Sequence, residues 1–397
     1  MHPTNESGRR LLWLTDAYYP SHGGMARSCD RIVSGLRRSG FVLDLVHLSR
    51  HATRDRCEHK LGGRDLRCAL GDDPAHATNR LWSMHHSRWR ERNYHGVVAF
   101  GGVHAIGAAP IFSAWLGVPL VTLLRGNDFD ASLFSRHRGA LFDALERSAW
   151  VGAVTREKVE KVARLFPHQR VEWTPNGIDV ESWRRREAAD VDTLPLGSVA
   201  SGKRRIGIFG QLKAKKGVGF FLEAWASSAA REAFELALVG DRTPDLTALL
   251  AEHQNLEVVT ADFVDHADLP RLYASCDAVA IPSFYDGMPN VMLEAMALGV
   301  PVLASDVGGM ADVIVDGKTG FLFFPGDPHD LRRTLQRFVE TPRDALQALG
   351  LAARQQVECE LTAERELERY RQLFLHPLHS RPFDARLVTA SRAAVCQ

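Results

Sequence analysis

The sequence predicts an α/β protein built as two doubly wound parallel-sheet domains, and three observations predict it. Short apolar, β-rich runs alternate with helical stretches along the chain. The 397 residues are too many for one ordinary core and comfortable for two. A polar stretch with neither helix nor strand periodicity, Trp183–Lys203, interrupts the alternation near the middle.

In the first half the strand-like runs are Leu11–Leu14, Val42–Leu48, Val97–Phe100, Leu120–Leu124, Trp150–Val154 and Val171–Trp173. In the second half they are Arg205–Phe209, Phe234–Val239, Leu256–Val259, Ala278–Ile281, Val302–Ala304 and Phe321–Phe323. Right-handed crossovers between such strands give parallel sheets covered by helices on both faces. Residues 1–183 are expected to form one Rossmann-like domain, 184–203 a linker and 204–376 a second Rossmann-like domain. The linker carries Arg184, Arg185 and Arg186 and runs through Pro195, Gly197 and Gly202. A helix over Thr362–Phe374 stops near Pro377, and the tail 377–397 is a candidate to cross back to the first domain. Residues His51–Tyr94 are rich in Arg and His with few apolar anchors, and read as an irregular excursion or a weakly packed, acceptor-facing helix.

Composition narrows the function class. Hydrophobic residues make up 45% and charged residues 24%, which fits a globular enzyme rather than a disordered chain. A net charge of +1 gives no global signal for nucleic acid. Residues 1–198 nevertheless carry 28 Lys and Arg against 22 Asp and Glu, a bias suited to an anionic acceptor, an anionic membrane surface, or simply scattered solvated Arg on an Arg-rich chain. Six cysteines without a CxxC pair imply free thiols in a reducing compartment. The apolar run behind Arg9 and Arg10 is too short for a secretory signal. Gly96–Leu124 has no charge, but its glycines and prolines parse it as strand, buried helix (about Ile106–Leu116) and strand rather than a membrane span. The expected location is cytoplasmic, with a peripheral position on the inner face of the cell membrane left open.

The segment richest in chemistry is Phe284–Pro301, FYDGMPNVMLEAMALGVP. Asp286 opens a Gly-Met-Pro turn directly after a strand, and Glu294 follows on a helix that Gly299 and Pro301 stop. In an open parallel sheet, ligands bind at that edge. Amides of Gly287, Met288 and Asn290 at the helix start suit an anion or a sugar hydroxyl, and the Glu294 carboxylate can accept both hydroxyls of a ribose diol. Asp286 could equally be an ordinary turn residue and cap.

This segment resembles the signature of retaining glycosyltransferase family 4, of GT-B fold: an acidic residue, seven residues, a Glu, then Ala-Met-Ala-x-Gly-x-Pro. Further matches fall in order. Thr174-Pro175-Asn176-Gly177-Ile178-Asp179 resembles the family's hinge element, and Gly210-Gln211-Leu212 with Lys216-Gly217 its diphosphate-binding loop. Leu238-Val239-Gly240-Asp241, the stretch from Leu269 to Asp277, Val307-Gly308-Gly309 and Asp316–Leu322 complete the run. In the first half, Pro20-Ser21-His22-Gly23-Gly24 precedes a helix (Ala26–Arg38) and resembles the family's Gly-Gly loop.

The resemblance implies a retaining, metal-independent hexosyltransferase with no cofactor. It would move a sugar from a UDP- or GDP-linked donor to a saccharide or lipid-linked acceptor, in cell-envelope polysaccharide or glycolipid synthesis. Donor contacts are expected from Gly23, Gly24, Gln211, Lys216, Gly287, Met288, Pro289, Asn290, Val291 and Glu294. Lys216 would face the diphosphate, Asp286 the sugar, and Arg125 and Asp128 the reacting centre. Three residues depart from the pattern, the first being Asp286, which stands where the family more commonly has Glu and leaves the sugar's identity open. Gln211 stands where the family normally has Arg, so Lys213 or Lys215 compensates or diphosphate binding is weaker. Arg125, in Arg125-Gly126-Asn127-Asp128, stands where the family often has His; its other reading is an ion pair with Asp128 or Asp130. Asp128-Phe129-Asp130 also spells an Asp-x-Asp metal motif, but Lys216 supplies the cation that a metal otherwise would. A nucleotide-sugar epimerase or hydrolase, with Asp16, Asp128 or His22 as acid or base, and a non-catalytic GT-B scaffold are the alternatives.

Overall fold

The computed structural model describes residues 8–21, 23–184, 196–197, 199, 202–253, 256–262, 264 and 268–376. Two sheets organise it. The first contains β1 (Arg10–Thr15), β2 (Val42–Ser49), β3 (Arg56–Lys60), β4 (Gly63–Ala69), β5 (Gly96–Phe100), β6 (Leu120–Leu124), β7 (Ser148–Ala153) and β8 (Val171–Trp173), in the order β3-β4-β2-β1-β5-β6-β7-β8. The second contains β9 (Arg204–Phe209), β10 (Phe234–Val239), β11 (Val258–Ala261), β12 (Ala278–Ile281), β13 (Val302–Ser305) and β14 (Gly320–Phe323), in the order β11-β10-β9-β12-β13-β14. Every pairing is parallel except β3 with β4.

Strands covered on both faces need apolar side chains at every position. Accordingly β5, β6, β10, β12 and β13 are buried throughout. The uncharged stretch from Gly96 resolves as β5, α3 (Val103–Leu116) and β6, with α3 packed on β5 and on α5 (Arg138–Arg147). No helix of the described residues is long and apolar enough to cross a membrane.

Residues 51–94 correct the expectation of an irregular excursion. They form the β3–β4 hairpin and a capped helix, α2 (Pro74–Arg90), whose Asp73 carboxylate accepts from His76 N at 2.9 Å. The strands escape a hydropathy reading because β3 is an exposed edge strand, and edge strands are commonly charged. Three buried residues, Ala77, Leu81 and Trp89, anchor α2.

The second correction concerns the return crossing. Helix α14 (Ala363–Leu375) packs on α1 (Gly24–Arg38), so the chain is already back on the first half before Pro377. Tyr370 and Phe374 are buried with Trp13, Leu36 and Trp150, and Trp150 and Phe374 lie 5.5 Å apart between ring centroids. The boundary expected at 376 therefore falls too late; most of the linker and the whole tail 377–397 lie outside the described residues. The two crossings run side by side: Ile178 N donates to Leu361 O at 2.9 Å and Ala363 N to Ile178 O at 2.8 Å.

Candidate active site

The loop after β12 reaches across to the first half. Asp286, Gly287 and Met288 lead into α10 (Asn290–Ala297), for which Pro289 supplies the N-cap. A side chain at Gly287 would come within 2.8 Å of Arg125 O, so the loop can pass Arg125–Gly126 only as glycine. Asn176 Nδ2 donates to Met288 O at 2.7 Å, and Asn290 Nδ2 donates to Gly24 O at 3.3 Å. The hinge and the Gly-Gly loop thus clasp the two ends of this turn. Gly23, at the mouth of α1, has φ 123°, a region that favours glycine.

Glu294, one turn into α10, is buried, as is Met288, while Val291 is half-buried against the same core. Tyr273 Oη donates to Glu294 Oε2 at 2.7 Å. Burial, then the neighbouring carboxylate, holds the Tyr273 hydroxyl well above its ordinary pKa, so it remains a donor. The Tyr273 ring is stacked on Phe209 at 4.2 Å, which fixes its direction. From the opposite half, the Arg27 guanidinium lies 2.8 Å from Glu294 Oε1.

Lys216 ends a short 3-10 turn, Ala214–Lys216, and Gly217 follows at φ 69°. A Cβ at Gly217 would lie 1.9 Å from Pro282 O, so this loop is pressed against the end of β12. That closeness brings the Lys216 ammonium onto the Asp286 carboxylate as an ion pair and hydrogen bond. The other Asp286 oxygen accepts from Gly287 N at 3.0 Å, so this amide is engaged locally rather than open to an anion. Gln211, Lys213 and Lys215 are exposed on the same loop.

The structure does not bring Arg125 and Asp128 into this group. The Arg125 guanidinium is buried and points to the hinge, donating to Thr174 O and Tyr370 Oη at 2.8 and 2.7 Å and to Asn176 Oδ1. It lies over the Phe100 ring and 3.7 Å from Glu366. Its expected place beside a reacting sugar is corrected, since the carbonyls and hydroxyl it satisfies are in the interior. The Asp128 carboxylate accepts from the amides of Arg125, Gly126 and Phe129 at 2.9, 3.1 and 3.0 Å and closes its own loop. Asp130 pairs with Lys158 and Lys161, which overcome its burial and hold its carboxyl below the usual range. Neither half of the Asp-x-Asp motif is therefore open to a metal. Asp16 caps α3, accepting from the amides of His104 and Ala105 and from the His104 ring. His22 lies outside the described residues.

Sequence reasoning missed Arg27 and Tyr273. Arg27 carries a usable signal, because it sits in the first turn of a helix opened by the Gly-Gly loop. Tyr273 belonged to a matched stretch, yet nothing linear connects it to Glu294.

The family model described as glycosyl transferases group 1 matches residues 203–341. The alpha-D-kanosaminyltransferase of Streptomyces kanamyceticus is 27% identical over 295 residues, covering 66% of this chain and 72% of that one. Among solved structures, the sucrose-phosphate synthase of Thermosynechococcus elongatus superposes with TM-score 0.75 at 19% identity, over 96% of this chain and 100% of that one. HepE of Anabaena, in complex with UDP-glucose, gives 0.72 at 19% identity over 92% and 98%. With its two sheets joined by paired crossings and its acidic loop facing a Gly-Gly turn, the chain has the GT-B fold, and its residues 203–341 match the group 1 glycosyltransferase model.

Proposed function

We propose that the chain is a retaining, metal-independent transferase of family 4 that moves a sugar from a UDP- or GDP-linked donor to a hydroxyl of a saccharide or lipid-linked acceptor, in cell-envelope polysaccharide or glycolipid synthesis. The observation that carries this reading is the placement of Glu294, Asp286 and Lys216 around one turn that meets the Gly23–Gly24 loop. Glu294, with Tyr273 fixing its second oxygen, takes the ribose hydroxyls in exchange for its contact with Arg27. Lys216 offsets the charge that develops on the departing diphosphate, and Asp286 then turns to the sugar hydroxyls. The bond from the anomeric carbon to the phosphate oxygen breaks and a bond to the acceptor oxygen forms on the same face. The acceptor proton passes to the leaving diphosphate. Arg125 and Asp128 hold the floor and hinge of the cleft instead of touching the sugar.

An epimerase or hydrolase reading has less support, because Asp16 and Asp128 already spend their carboxylates on main-chain amides. The test is Glu294→Ala, assayed with UDP- and GDP-sugars and an acceptor panel by mass spectrometry, with anomeric configuration read by NMR. Loss of transfer is expected. Transfer near the parent rate, or an inverted product, would overturn the reading.

A further inference from the structure

Outside the cleft, the α1 face of the first sheet carries a groove of about 620 Å³. It lies between α1 and the β3–β4 hairpin, where β1 and β2 are covered by α1 and the edge strands are not. Register places three basic residues in one row across its floor. His47 on β2 is the partner of Arg67 on β4, and Arg67 is directly opposite Arg56 on β3. Two like charges opposite each other on an antiparallel pair destabilise the hairpin unless something neutralises them.

The neighbouring acids pair with Arg56 but, among the described residues, leave Arg67, at the centre of the row, without an ion pair. Asp65 is held by Arg37 at 2.7 Å, and Asp30 accepts from Tyr18 Oη at 3.1 Å. Glu58 is shared by Arg56 and Lys60 at 2.8 and 3.0 Å. Among the described residues no carboxylate lies within ion-pair distance of Arg67, and its buried Nε has no hydrogen-bond partner. Among the described residues its terminal nitrogens reach only Tyr19 O, at 3.4 Å. His47 is 2% exposed, lines the groove, and neither ring nitrogen has a hydrogen-bond partner of good geometry among the described residues. The groove's lining holds five Lys and Arg side chains against three carboxylates.

We infer that the row His47–Arg67–Arg56, roofed by Tyr18 and Tyr19, is a binding site for an oxyanion of the phosphate or sulfate class. The Arg67 fork and the single N–H of the neutral His47 imidazole are the donors such an anion takes up. The row lies at the carboxyl end of β2, where open parallel sheets bind ligands. Asp30, which lines the groove, follows Arg27 by three residues on α1, and Arg27 contacts Glu294, so the groove and the cleft are about one helical turn apart. An anionic group carried by the acceptor is therefore the natural occupant, an assignment that rests on the proposed function. The oxyanion site itself does not.

The test titrates the full chain with inorganic phosphate by calorimetry, in parallel with UDP and GDP. Saturable phosphate binding is expected, weakened about tenfold or more by Arg67→Ala, as for loss of a charge-assisted hydrogen bond. Arg56→Ala, on the exposed edge strand, should weaken it as well without disturbing the fold. Nucleotide binding should stay within about twofold in both variants. Phosphate binding that is absent, or that survives Arg67→Ala and Arg56→Ala but is lost in Lys216→Ala, overturns the inference. KM for phosphorylated against dephosphorylated acceptors then separates the sources: a rise confined to the phosphorylated set in Arg67→Ala marks an acceptor group, and equal values mark a free oxyanion. Failure to bind either nucleotide would count against the proposed function while leaving the phosphate titration readable.

Discussion

Arg27 and Glu294 meet at 2.8 Å across the cleft, one from each half of the molecule. The carboxylate is buried and the guanidinium is partly exposed, with side-chain exposures of 4% and 39%. Glu294 is therefore fixed by its own helix and by Tyr273, while Arg27 is the partner with room to move.

This asymmetry predicts a split phenotype for Arg27→Ala. Removing the cation frees Glu294 for ribose, so uridine or guanosine should bind as well as before or better. With the proposed donor bound, a guanidinium in that place would meet the diphosphate and supply the charge that Gln211 does not. Binding of the matching nucleoside diphosphate should fall by about tenfold or more, the loss typical of a hydrogen bond to a charged group. Equal effects on nucleoside and nucleoside diphosphate, measured by calorimetry, would refute this division of labour.

Lys216→Ala should act on turnover. Withdrawing a cation aimed at developing charge commonly costs about 10²–10³ in kcat. The ribose contact through Glu294 is separate, so nucleoside affinity should change little. Steady-state kinetics with a saturating donor decide the matter, and an effect confined to KM would contradict the assigned role.

Glu366 serves two arginines: the half-buried Arg31 at 2.6 and 3.1 Å, and the buried Arg125 at 3.7 Å. Glu366→Ala leaves both guanidinium groups without their shared carboxylate and should destabilise the fold by roughly 3–5 kcal/mol. Tyr370→Phe removes a single hydrogen bond from Arg125 and should cost about 1–3 kcal/mol. Urea unfolding of both variants checks the order; a Glu366→Ala effect smaller than that of Tyr370→Phe would mean the network is not shared.

The strands with the best agreement between sequence and structure are Leu120–Leu124, Phe234–Val239 and Ala278–Ile281, which are buried on both faces and so mostly apolar, Thr122 and Glu235 being the polar exceptions. Arg56–Lys60 was illegible for the opposite reason, being an exposed edge strand whose charges, Arg56, Glu58 and Lys60, share one face while Cys57 and His59 take the other. The periodicity of α14 announced an apolar face and gave no means of choosing between two cores. In the site, Asp286, Glu294 and Lys216 were legible because they lie in the turns, or one turn into the helix, that follow the ends of parallel strands, where ligands bind. The direction of Arg125 was not, since Tyr370 is 245 residues away and comes near only through the return crossing.

His47 makes acid stability a readable property. Burial first, then Arg67 and His51, push its pKa from 6.5 down to about 4, while the main chain and carboxylate of Asp16 pull weakly upward. Between those values the unfolded chain binds the proton and the folded chain does not, so stability must rise with pH across this window. The contribution is complete above about pH 6.5 and is lost as pH falls toward about 4, a loss of order 3 kcal/mol for a group this buried. Urea melts from pH 4 to 7 should show that slope, and His47→Gln should flatten it. Inorganic phosphate should flatten it too in the parent chain, because an anion beside Arg67 favours the protonated ring. A slope in the parent chain that phosphate leaves unchanged would separate His47 from the oxyanion row.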